Sequence, residues 1–260
     1  MTKTIAFLLA LAAATPALAQ SDPTTPTRDA SGDEVVVTAS RSGDGVPLDL
    51  LAASATVIDA EALQQRQTRI VSDVLRDVPG VAVSRSGGVG GFTQLRLRGT
   101  ESNHVLVLID GIEVADPYQG EFDFGTLLAD EAARIEVLRG QQSSLYGSDA
   151  IGGVIQYLTL TGKESPGVSL RAEGGSFATA SGGARVAGVA GDLDYAVQAS
   201  GYRTDGTPEA RGGSRNVGAT LAGGTAKLTW SPSSTFKITG VGRYNYTLSL
   251  IHISEPTRPY

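Results

Sequence analysis

Few residues in this chain are equipped to make or break bonds. Its 260 residues include two histidines, His104 and His252, and no cysteine. Neither a histidine cluster nor a thiolate set can therefore hold a metal ion. There is no G-x-S-x-G elbow, and "TGKES" lacks the upstream glycine spacing and the Ser/Thr after lysine that a phosphate loop needs. Asp192 and Asp194 in "GDLD", with Asp205 and Glu209 in a long hydrophilic stretch, offer oxygens that calcium accepts, but solvated turns use the same residues. No cofactor and no enzymatic activity are expected. Arg98, Glu101, Glu136 and Arg139 flank strand-like segments, where they can pair in an interior or stand in solvent. The formal charge of -6 argues against nucleic acid, which needs clustered Lys and Arg.

The chain is better furnished for main-chain recognition. "DEVVVTASR", residues 33–41, carries three valines closed by threonine, a strong strand-former. Its neighbours are polar, proline-bearing or rich in turn residues and offer it no obvious partner strand. The residues around it explain where it must work. "MTKTIAFLLALAAATPALAQ" has a basic head at Lys3, an apolar run from Ile5 to Ala14 and a small-residue exit at Ala17-Leu18-Ala19. That is the order of a cleaved secretory signal peptide over residues 1–19. The run is about half the ~20 apolar residues a spanning helix requires. No other stretch is long and apolar enough to span as a helix, so later membrane insertion would have to use β-strands. Gln20 to Gly32 reads as a disordered linker with too little apolar surface to fold.

Residues 50–161 read as a small α+β domain. "SATVID" is strand-like, and "AEALQQRQTRIVSDVLRDVPG" places Ile70, Val71, Val74, Leu75 and Val78 at helical spacing before Pro79-Gly80 stops it. "VAVS", the glycine-rich "RSGGVGG" and the alternating "TQLRLRG" follow. "HVLVLIDGIEV" reads as a hairpin turning at Asp110-Gly111. "ARIEVLRG" is another strand, and "YGSDAIGGVIQYLTL" ends the region.

From residue 167 the texture becomes strictly alternating. "GVSLRAEGG" sets Val168, Leu170 and Ala172 against Ser169, Arg171 and Glu173; "LDYAVQASGY", "TAKLTW" and "FKITGVGRYNY" repeat the pattern. The connections "GDLD" and "SPSS" are short, whereas "TDGTPEARGGSRN" is long. One apolar and one polar face, short turns at one end and aromatics near strand ends describe about five strands of a transmembrane β-barrel over residues 167–247. A soluble sandwich or solenoid alternates in a similar way.

Taken together, "DEVVVTASR", "LRGTESNHVLVLIDGIEV" and "IEVLRGQQSSLYGSDAIGGVIQYLT" resemble a TonB-dependent outer-membrane receptor, with a plug most similar to that of the cobalamin transporter group. The resemblance is close over residues 33–161 and one of texture beyond. It implies a plug seated in a barrel of about 22 strands, in the outer membrane of a Gram-negative cell. The partners implied are TonB, outer-membrane lipid and a scarce bulky nutrient, cobalamin or a siderophore-type metal chelate, taken up by a monomer. It also assigns the valine run: Glu34, Val35, Val36, Val37, Thr38 and Ala39 become a TonB box, an unpaired strand that adds to the edge of a TonB sheet.

The same resemblance makes Gly88, Val89 and Gly90, and Pro117, Tyr118, Gln119 and Gly120, apical loops facing the ligand, although plain turn chemistry accounts for the glycines equally well. Gln141-Gln142 and "IQYLT" depart from the family pattern and weaken transfer of the substrate.

"LSLIHISEPTR", Leu248 to Arg258, breaks the alternation and reads like translated sequencing adapter, so residues 248–260 are expected to be foreign to the protein. An open sheet of five strands does not close a pore. The alternative to a transporter is therefore an exported plug that only binds TonB or ligand.

Overall fold

The computed structural model describes residues 36–37, 46–47, 53–129, 133–208 and 216–249. The expected signal peptide and linker, Glu34, Val35, Thr38, Ala39 and residues 250–260 lie outside them. The plug begins with two short strands, β1 (Val36–Val37) and β2 (Val46–Pro47), which pair antiparallel. The expectation of an unpaired valine strand is corrected here: Val36 lies opposite Pro47 and Val37 opposite Val46.

A five-stranded sheet forms the body of the plug, in the order β3 (Ser54–Ile58), β8 (Ala133–Arg139), β9 (Gly153–Thr159), β6 (Val105–Ile109), β7 (Ile112–Glu113). The β6–β9 pair is parallel and central, and every residue of β6, "VLVLI", is buried, as an apolar run without alternation requires. The hairpin turn falls at Asp110-Gly111, both at positive φ (50° and 81°), the geometry a two-residue loop needs. β4 (Val81–Arg85) and β5 (Thr93–Leu97) form a separate hairpin whose Leu95 and Leu97 enter the same core.

The helical region differs from its periodicity. It is two helices, α1 (Ala60–Arg66) and α2 (Val71–Leu75), rather than one run. Asp59 caps α1, its carboxylate accepting from Ala62 N at 2.7 Å, and Gln67 ends it in a left-handed conformation. The break is tertiary in origin. Residues 69–71 pair with 127–129, Val71 N donating to Leu127 O and Ala129 N to Arg69 O, so the backbone there is spent on a neighbour instead of a helix. Val71, Val74, Leu75 and Val78 still reach the core.

The second sheet is a five-stranded antiparallel meander: β10 (Gly167–Gly175), β11 (Thr179–Ala190), β12 (Leu193–Pro208), β13 (Asn216–Ser233) and β14 (Phe236–Ser249). The register lines up Val168, Val186, Val197 and Ala226 in one row and Leu170, Ala184, Ala199 and Tyr244 in the next, all on one face. Val168 and Leu170 are more than four-fifths exposed. Trp230 and Phe236 meet edge to face (6.1 Å) at the end that carries the tight turns 191–192 and 234–235. The opposite face carries Arg171, Arg185, Gln198, Thr225, Lys227 and Arg243 and meets the plug. An outward apolar band over an inward polar wall is the pattern of a lipid-facing barrel sheet. β14 continues through Leu248 and Ser249, paired with Thr220 and Ala219, so the alternation outlasts the expected boundary at residue 247 by two residues.

Val197 stands mid-strand on the outward face. Val197→Arg is expected to weaken insertion into lipid vesicles by about 2–4 kcal/mol, the cost of a cation near the bilayer midplane. Equal insertion of variant and parent would show that this face does not meet lipid.

Candidate functional site: plug, wall and apical loops

The plug is held on the polar wall by charged side chains, and the strongest cluster gathers at the Asp110-Gly111 turn. Asp110, 1% exposed at its side chain, accepts from Thr159 N (2.9 Å), Thr159 Oγ1 (2.9 Å) and Lys227 Nζ of β13 (3.1 Å). Lys227 also donates to Thr159 O at 2.7 Å. From β14, Arg243 donates to Thr159 Oγ1 (3.1 Å) and lies over the ring of Tyr157, 5.0 Å from its centroid. Donors from β9 and β13 thus meet at one buried carboxylate just beyond β6, and Arg243 of β14 braces Thr159 beside it. A buried charge is tolerable only with such partners.

The segment joining plug to wall is fastened by complementary charges. Asp194 of β12 accepts from the amides of Gly162 (2.6 Å) and Lys163 (3.3 Å). Arg185 of β11 donates to Ser165 O (2.6 Å) and lies 3.4–3.5 Å from the carbonyls of Thr161 and Leu160. Gly162 sits so close to the wall that a Cβ there would run into the carbonyl oxygens of Gly188 and Tyr195. At the other side, Arg69 pairs with Glu173 of β10, Nε donating to Oε2 at 2.7 Å, and Arg171 supports Glu173 at 3.4 Å. Within the same inner row as Arg185, the amide of Gln198 and the hydroxyl of Thr225 have no protein partner among the described residues. Water is the partner available to such groups.

The two loops assigned by resemblance are placed differently from one another. The first is not a free apex: Gly88 and Val89 are half-buried and Gly90 is buried. Val89 packs on Leu128, Ala219 and Leu221, and a Cβ on Gly90 would stand 3.2 Å from that of Ala219. The second loop does face solvent. Pro117, Tyr118, Gln119 and Gly120 are all exposed, Tyr118 at 96%. Asp116 shapes it by accepting from the amides of Tyr118 and Gln119, both at 2.8 Å.

The loops share a base: Thr93 N donates to Asp123 (2.8 Å), and Gln94 Nε2 to Glu121 (3.0 Å), which Ser102 also contacts. Of the remaining charged residues singled out in sequence, Glu136 is fully buried and pairs with Arg134 (2.9 Å). Arg139 donates to Pro79 O (2.9 Å) and Thr56 Oγ1 (3.0 Å), while Arg98 and Glu101 are exposed. Asp194, considered for calcium, is spent on amides; Asp192 is exposed, and Glu209 lies outside the described residues.

Sequence reasoning passed over the charged latch. Asp110 was legible only as half of a turn, and Lys227, Arg185 and Arg243 only as members of polar faces. A cation on the inward face of an amphipathic strand is the signal that marks them, since the five-stranded body packs against that face and a buried cation must find a partner there.

A mixed five-stranded body with a separate hairpin, fastened through its charged residues to the polar face of a lipid-compatible meander, defines a plug domain with barrel strands. Residues 47–154 match the family model for the TonB-dependent Receptor Plug Domain. Residues 47–154 are thus similar to that plug domain, and antiparallel strands that do not close a barrel follow them. Solved structures similar to it include the siderophore receptor PirA from Acinetobacter baumannii, 22% identical over 75% of this chain and 32% of that one, with a TM-score of 0.59. The pyoverdine outer membrane receptor FpvA from Pseudomonas aeruginosa PAO1 is 16% identical over 82% and 30%, TM-score 0.64. The ferric yersiniabactin uptake receptor FyuA from Yersinia pestis is 24% identical over 76% and 30%, TM-score 0.51. The chain spans about a third of the length of such receptors. At these identities the likeness is one of fold, and it singles out no cobalamin transporter.

Proposed function

We propose that this chain is the plug and first barrel strands of a TonB-dependent importer in the outer membrane of a Gram-negative cell. Its cargo would be a scarce metal chelate of siderophore type, with cobalamin as the other member of the class. The observation that carries the reading is the pairing of the two sheet faces. The outward face is apolar and exposed, and the inward face carries cations matched to carboxylates and carbonyls of the plug. A plug that merely bound a partner in the periplasm would have no use for exposed Val168, Leu170, Tyr244 and Tyr246.

In this reading residues 1–19 direct export and are removed. Residues 34–39 are the TonB box, and β1 exchanges its pairing with β2 for pairing with the edge of TonB. That exchange costs two residues of ladder, little beside the longer strand TonB would gain. Fractionation of cells expressing the chain provides the test. Recovery with outer-membrane markers, lacking residues 1–19, is the expected result; recovery as a soluble periplasmic protein would overturn it.

A further inference from the structure

Five inward side chains cross the wall in one register row: Ser169 of β10, Arg185 of β11, Gln198 of β12, Thr225 of β13 and Arg243 of β14. Three of them are nearly sealed from solvent, Arg185 at 5% exposure, Gln198 at 6% and Thr225 at 3%. Arg243 is directed at Thr159 and Tyr157. The others are not so provided. Arg185 Nε, both ends of the Gln198 amide and the hydroxyls of Thr225 and Ser169 have no hydrogen-bond partner among the described residues. Arg185 is also a buried cation without an anion. Its terminal nitrogens meet only the carbonyls of the linker, and no carboxylate among the described residues pairs with it. The carboxylates of this interface are committed elsewhere: Glu173 to Arg69, Asp110 to Lys227, and Asp194 to the amides of Gly162 and Lys163. Water completes hydroxyls and amides, but it brings no charge. Burying a guanidinium without an opposite charge is costly.

We infer that a small inorganic anion of the size of chloride binds between plug and wall as the counter-ion of Arg185, accepting from Arg185 Nε, the Gln198 amide and the Thr225 hydroxyl. These donors stand on neighbouring strands about 5 Å apart, so one ion over Gln198 is within reach of all three. A water beside the ion serves the Gln198 oxygen. The size follows from the linker. Arg185 reaches Thr161 O, and a Cβ on the next residue, Gly162, would meet the carbonyl oxygens of Gly188 and Tyr195. So little room between linker and wall excludes an organic acid. The ion keeps Arg185 buried against the carbonyls of Leu160, Thr161 and Ser165, and thereby fastens the linker. The inference goes beyond the uptake reading and depends on neither cargo nor TonB.

Amide hydrogen exchange on the full chain, folded in a neutral detergent, tests it, with chloride replaced stepwise by the larger gluconate at constant ionic strength. The amides of Gly162, Lys163 and Ser165 are hydrogen-bonded in the linker. Their protection is expected to rise about tenfold between trace and ~100 mM chloride. Bromide should act as chloride does. Gln198→Glu supplies a carboxylate beside Arg185, so its linker should be protected at low chloride and indifferent to added chloride. Arg185→Met removes the charge that calls for the ion and should lose the chloride response; where that variant does not fold, Gln198→Glu decides alone. Linker protection in the parent that ignores chloride would mean that water alone completes the row. A chloride response that survives in Gln198→Glu would place the ion elsewhere, and either result overturns the inference. Because the readout involves neither TonB nor cargo, it can fail while uptake persists, and uptake can fail while the ion still binds.

Discussion

Asp110→Ala should cost about 3–5 kcal/mol in the attachment of the plug to the wall, the range for removing one partner of a buried ion pair. The carboxylate is almost wholly buried and accepts three hydrogen bonds, from two groups of Thr159 and from Lys227. Without it the Lys227 ammonium, 15% exposed, keeps only the carbonyl of Thr159 as a partner among the described residues. Amide hydrogen exchange in β6 and β9 reads the loss directly: protection should fall by about two to four orders of magnitude. The double variant Asp110→Ala with Lys227→Met should recover part of the loss, because the penalty lies in stranding the cation rather than in losing the pair. A loss below about 1 kcal/mol in the single variant would show that the cluster is incidental to attachment.

Gly162→Ala is the second large effect. A methyl group at this position meets backbone oxygens of two wall strands, which cannot rotate away as a side chain would. The linker must back off, and in doing so it loosens the hydrogen bonds from Gly162 and Lys163 to Asp194 and those from Arg185 to the carbonyls of 160–165. A cost of about 3 kcal/mol is expected, the upper end of the range for overpacking. Gly240→Ala supplies the contrast: it lies in β14 with no neighbour within 4 Å of an added Cβ, and its stability should be unchanged. Urea unfolding of the two variants side by side separates the cases. Equal midpoints would mean that the linker is not pressed against the wall.

The elements with a single strong period were readable in sequence. The alternation of Val168, Leu170 and Ala172 against Ser169, Arg171 and Glu173 assigned both faces of β10, and Asp110-Gly111 placed the β6–β7 turn. What sequence concealed depended on distant partners. The break between α1 and α2 is made by backbone pairing with residues 127–129, Ile70 lying opposite Leu128, while the apolar spacing continues across it as though the helix did. β11, "TASGGARVAGVA", is nearly all small residues, so its inward and outward positions hardly differ in polarity, and only its register with β10 and β12 identifies it. The candidate site was half legible for the same reason. The exposed loop 117–120 follows from its own turn residues, whereas the docking of Gly90 on Ala219 joins segments more than a hundred residues apart.

The claim on which the functional reading turns is that Val36 and its neighbours engage TonB by strand addition. Binding of the purified periplasmic domain of TonB to the full chain in detergent measures it, with Val36→Pro as the comparison. The substitution removes an amide donor and disrupts the strand. The account predicts measurable binding by the parent chain and a loss of at least tenfold in the variant. Equal binding of TonB by parent and variant would contradict it.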